Sequence, residues 1–118
     1  MKFLLMFVGT SEDQKRWENL TKEQYAAAMG AAGKWFDEYT RAGKIVGGLQ
    51  LQGPQTVTSV HSENGSRVVT DGPFIESKEI IGGFAIVDVK DLAEAQAMAK
   101  AWPGGPVNIV PAVAGVER

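Results

Sequence analysis

Residues 2–8 and 80–89 are apolar on both of their alternating faces, and this pattern limits the fold more than any other feature of the chain. In the first segment Phe3, Leu5 and Phe7 alternate with Leu4, Met6 and Val8, as in a strand covered from both sides. Two long helix-patterned stretches accompany these strands, enough to cover one face of a sheet. The second face needs a cover that this chain does not supply. An identical sheet from a second copy meets that need by two-fold symmetry, so a homodimer packed sheet face to sheet face is expected.

The remaining elements follow from local chemistry. Residues 9–20 are polar and read as a loop with a helical turn around 15–19. Thr21 and Gln24 form a capping box ahead of a helix whose inner stripe is Tyr25, Ala28, Met29, Ala32, Phe36 and Tyr39. Gly43 is its C-terminal stop. Gly30 and Gly33 lie on or beside that stripe, each at a cost of about 1 kcal/mol against alanine. Close approach of the helix to the sheet is the expected compensation. Residues 44–52 form a second strand with Ile45, Leu49 and Leu51 apolar and Gln50 and Gln52 facing away, broken by Gly53-Pro54. Residues 56–62 and 67–70 are β-rich runs joined by Asn64-Gly65, a dipeptide suited to a two-residue hairpin turn. That loop sets Ser62 opposite Arg67 and His61 opposite Val68. A strand over 80–89 follows, then a helix opened by Asp91 and Glu94 with Leu92, Ala95, Met98, Ala99 and Trp102 inward. Pro103-Gly104-Gly105 ends it, and a short strand covers 107–110. Without the hairpin this order is the split βαβ of the ferredoxin-like fold. The expectation is therefore α+β: a ferredoxin-like βαββαβ unit with an inserted β-hairpin, paired into a dimeric α/β barrel.

Composition narrows the functional classes. The chain has 118 residues, read as a single domain over 1–118, with a formal charge of -2 and no basic run to hold nucleic acid. It contains no cysteine, which removes disulfides, thiolate catalysis and thiolate metal sites. The apolar opening is short, lacks a small-residue cleavage pattern and is followed by Gly9-Thr10-Ser11-Glu12-Asp13, and no segment approaches membrane-spanning length. A mature cytoplasmic protein without membrane or nucleic-acid partners is expected. No nucleophile elbow, P-loop or dinucleotide fingerprint occurs, and one histidine supplies neither a triad with a metal site nor a ligand spacing. No cofactor and no metal are expected.

The most specific stretch is Thr70-Asp71-Gly72-Pro73-Phe74 through Lys78-Glu79 and Gly82-Gly83-Phe84. Together with Phe3-Leu4-Leu5-Met6-Phe7, Ala42-Gly43 and Gly47-Gly48-Leu49, it resembles the DGPF-type, YCII-related proteins over most of the chain. The resemblance implies the dimeric α/β-barrel superfamily, which also holds muconolactone isomerase-like and monooxygenase-like enzymes. No general reaction comes with it, since fold alone does not transmit chemistry. The chain also departs from the family. His61 stands where a basic residue often precedes the hairpin turn, and Asn108 and Val110 stand where an acidic residue and an arginine are common. Relatives proposed to use a His–Asp pair carry the histidine near the first strand, where this chain has none.

Candidate catalytic residues are Asp71, His61 and Glu76; candidate ligand contacts are Lys78, Phe74 and Glu79. Asp71 before Gly-Pro either locks the turn through backbone N–H groups or faces a cavity as a general base. His61 is either a structural histidine or, near Asp71, half of an acid–base pair. Glu76 and Lys78 share a face of an extended segment and Glu79 points oppositely, which fits a solvated edge or a pocket rim. Phe74 reads as a packing anchor. Trp17, Trp35 and Trp102 are either core residues or an aromatic pocket wall. The glycine-rich strands leave room for a small ligand above the sheet. Two functional readings remain open. One is a small-molecule binder with a cavity between sheet and helices and cofactor-independent, isomerase- or lyase-like acid–base chemistry. The other is a non-catalytic ligand-binding or interaction module linked to transcriptional regulation, because relatives often accompany sigma-factor-like regions.

Overall fold

The computed structural model describes residues 1–72 and 79–113. In chain order the described elements are β1 (Lys2–Gly9), α1 (Ser11–Glu18), α2 (Lys22–Arg41), β2 (Ile45–Gln50), β3 (Thr58–Glu63), β4 (Ser66–Asp71), β5 (Ile80–Asp88), α3 (Leu92–Lys100) and β6 (Val107–Pro111). Four strands form an antiparallel sheet in the order β2-β5-β1-β6, while β3 and β4 pair only with each other. With β3 and β4 set aside, that order is the ferredoxin-like α+β arrangement, and the hairpin is an insertion between its second and third strands.

The core lies between the sheet and helices α2 and α3. Phe3 and Leu5 of β1 and Ala85 and Val87 of β5 meet Trp35 of α2 and Ala95 and Met98 of α3. Trp35 is the one buried residue of the 20-residue α2. Its indole N–H donates to the Met98 carbonyl at 3.0 Å, tying the two helices together. The inner stripe read from the sequence omits this residue, because Tyr25 and Met29 satisfy the helical period without reaching the core. Lys44 and Glu94 form an ion pair that joins the start of β2 to the first turn of α3.

The opposite face of the sheet is apolar and open in the single chain. Its rungs read Leu49, Phe84, Met6 and Asn108, then Gly47, Ile86, Leu4 and Val110. Leu49 is 64% exposed.

Three expectations are corrected. Residues 11–18 are a helix: the Thr10 hydroxyl accepts from the Asp13 N–H and the Thr10 N–H donates to the Asp13 carboxylate, a complete capping box. The ladder shifts register between Ile45 and Gly47. Ile45 therefore packs with Val87 in the core while Leu49 faces outward with Phe84, and Gln50, paired with Gly83, turns to the helix side. Gly30 and Gly33 make no close approach to the sheet, for nothing lies within 4 Å of a Cβ built at either. The N-terminal half of α2 stands away from the strands. The hairpin forms in the expected register, Ser62 opposite Arg67 and His61 opposite Val68, with Asn64 and Gly65 at φ 50° and 82°.

Candidate functional site

Because α2 is held off the sheet at its N-terminal half, a cavity of about 1100 Å³ opens between them. Its floor is the ends of β2 and β5, where Gly48, Gly82 and Gly83 carry no side chains and Gln50 is the polar lining residue. At Gly48 the strands approach so closely that a Cβ would sit 2.6 Å from the Phe84 carbonyl oxygen. One wall is Ala28, Ala32, Gly33 and Phe36 of α2. The other is Gln14 and Trp17 of α1 with the turn 102–106. A shallower groove of about 450 Å³ adjoins it and shares Gln14, Trp17 and Gln55.

Aromatic packing fixes these walls. Phe7 stacks on Trp102 with ring centres 4.2 Å apart, and Trp35 meets both rings edge-on. Trp17 leans on Tyr25 at 5.2 Å, which seats α1 against α2. The Thr10 cap sets the start of α1 and so the direction in which Gln14 and Trp17 point.

The described lining of the cavity holds little ionisable chemistry. Asp13 is the one acidic or basic side chain among its described lining residues. The Thr10 backbone N–H and then the Arg16 guanidinium hold the Asp13 carboxyl below the usual carboxylate range. That carboxylate is therefore a capping group already paired with Thr10 and Arg16. Polar capacity comes instead from the side-chain amides of Gln50, Gln52 and Gln55, which form no hydrogen bond among the described residues. No cluster of three or more His, Asp or Glu suited to a metal ion occurs among the described residues.

Those acid–base and ligand candidates that are described, His61, Asp71 and Glu79, are not among the cavity's lining residues. His61 and Asp71 are on the hairpin and do not line the cavity. Asp71 pairs with Thr58, three residues before His61, so the two side chains leave opposite faces of the ribbon. The Asp71 side chain is exposed, and among the described residues no N–H donates to it. The His61 imidazole is 17% exposed, with Nε2 3.5 Å from the Glu63 carboxylate. Glu79 is exposed at the approach to β5. Phe74, Glu76 and Lys78 lie outside the described residues. Of the three tryptophans, Trp17 and Trp102 line the cavity and Trp35 is core. The sequence reading missed Gln14, Gln50 and Gln55. The Thr10/Asp13 spacing was a usable signal for α1 and thus for Gln14; no comparable signal marked the β2 register shift that turns Gln50 inward.

A family model of the YCII-related domain matches residues 1–113. The chain belongs to the YCII-related family. A search of curated proteins found no match. Within the matched span, Gly48 of β2 and Gly82 and Gly83 of β5 are cavity floor. No helix among the described residues is long and apolar enough to cross a membrane.

Proposed function

We propose that this YCII-related protein binds a small molecule in the cavity between its sheet and helices. The observation that carries the reading is the pairing of a roomy aromatic-walled cavity with a helix that keeps glycine where nothing requires it. The volume is just above the usual range of small-molecule sites, and a few polar groups line the apolar walls. A screen of native mass spectrometry and thermal shift against a metabolite library tests it. A hit whose stabilisation disappears in Gly33→Leu supports the cavity, and hits indifferent to that substitution remove it.

The same proposal includes a homodimer joined through the open sheet face. The support is the open face itself, on which Leu49 of β2, Ile86 of β5 and Val110 of β6 are exposed apolar side chains.

Acid–base turnover of an isomerase- or lyase-like kind is the second reading. It draws on His61, whose shielded imidazole faces Glu63, with Asp71 and Glu76 as further acid–base candidates. Since His61 and Asp71 belong to the hairpin and not to the cavity lining, binding is the better supported activity. Loss of turnover in His61→Gln, with ligand affinity retained, would restore the catalytic reading.

A further inference from the structure

From the chemistry of the lining we infer that the ligand is an uncharged, planar molecule with a carbonyl- or amide-type edge, read by glutamine side chains. The inference rests on the cavity being the ligand site. Among the described lining residues, charge favours a neutral ligand over either ion. An anion would meet no cation among the described lining residues and would face the Asp13 carboxylate. A cation would find that carboxylate already occupied by the Thr10 N–H at 2.8 Å, the Thr10 hydroxyl at 3.1 Å and the Arg16 guanidinium. An ion moved from water into such a site loses hydration without a partner, a cost that a neutral molecule avoids.

Shape and polarity then select among neutral molecules. Trp17, Phe36 and Trp102 are aromatic lining residues above a floor where Gly48, Gly82 and Gly83 carry no side chains, a setting that favours a planar ring system. Gln50 rises from that floor on the helix side, opposite Gly83, and Gln52 and Gln55 follow at the rim. Each amide offers a donor and an acceptor at once, the complement of a lactam, imide or carboxamide edge. No hydrogen bond among the described residues occupies these amides, so the ligand displaces water and not a protein partner.

Four bicyclic probes of matched size test this by ligand-observed NMR titration of the full chain: 2-quinolinone, quinoline-2-carboxylate, 2-(aminomethyl)quinoline and naphthalene. The neutral lactam is expected to bind saturably and about tenfold or more tightly than either ionised analogue. Gln50→Leu should weaken the lactam roughly three- to tenfold and leave naphthalene unchanged. Equal or tighter binding of the carboxylate or the amine overturns the inference. So does an unaltered lactam affinity in Gln50→Leu, or no saturable lactam binding up to millimolar concentration. Gly33→Leu separates this from the cavity itself. If a charged probe binds and Gly33→Leu abolishes that binding, the cavity stands and the neutral ligand falls. If probe binding ignores Gly33→Leu in a folded variant, the cavity falls too.

Discussion

Gly33 occupies the middle of a 20-residue helix with open space where its Cβ would be. Alanine there should stabilise the protein by about 0.5–1 kcal/mol, through helix propensity and a less entropic unfolded chain. Urea denaturation of Gly33→Ala checks this, and a loss of stability would mean that the helix sits closer to the sheet than described. Trp35 is the opposite case, a buried residue whose indole N–H and ring are both engaged. Trp35→Phe removes the bond to the Met98 carbonyl, which keeps a second donor in the Ala101 N–H at 3.2 Å. The expected cost is the modest net value of one hydrogen bond, about 1 kcal/mol, plus the packing lost with the smaller ring. The same denaturation curves measure it.

Among the elements, α1 depends on its cap more than on its packing, having no buried residue. Thr10→Ala should cost about 0.5–2 kcal/mol and weaken ligand binding, because Trp17 and Gln14 lose their fixed direction. Titration of the variant with whichever ligand the screen yields reads both effects. At the other end of the fold, the Lys44 ammonium, hydrogen-bonded to Glu94, holds the Glu94 carboxyl below its ordinary range, helped by the Lys90 N–H. A depressed folded-state value means that the pair stabilises the protein above the unfolded-state pKa of Glu94. That stability disappears as pH falls through the lower folded value. Thermal melts of the wild type and Glu94→Gln should therefore differ at neutral pH and converge in acid. The strands, both long helices and the hairpin register were legible because each depends on local periodicity or a dipeptide such as Asn64-Gly65. The cavity was legible only as room above glycines. Its depth depends on how far α2 stands from the sheet, and its polar lining depends on one extra residue at Val46 that reverses which way Gln50 points. Neither is encoded in a short pattern. The candidates on the hairpin were chosen for their chemistry, and chemistry alone says nothing of which surface a strand will present.

At the scale of the whole molecule the chain is a thin slab of 48 × 47 × 19 Å, with a radius of gyration of 16.5 Å against about 13.5 Å for a compact chain of this length. One face of that slab is helix-covered; the other carries Met6, Phe84 and Ile86 towards solvent. Ile86→Lys should shift the protein from dimer to monomer at micromolar concentration in analytical ultracentrifugation. A wild-type protein that sediments as a monomer would remove the dimer from the proposal while leaving the cavity untouched. The margins of the sheet bear on the same question. One outer strand, β2, is kinked by its irregular register, and the other, β6, ends in Pro111, which has no N–H to offer a newcomer. Strand-by-strand accretion into fibrils is thus disfavoured at both borders, and the proposed pairing through the broad surface would be a contact at which growth stops.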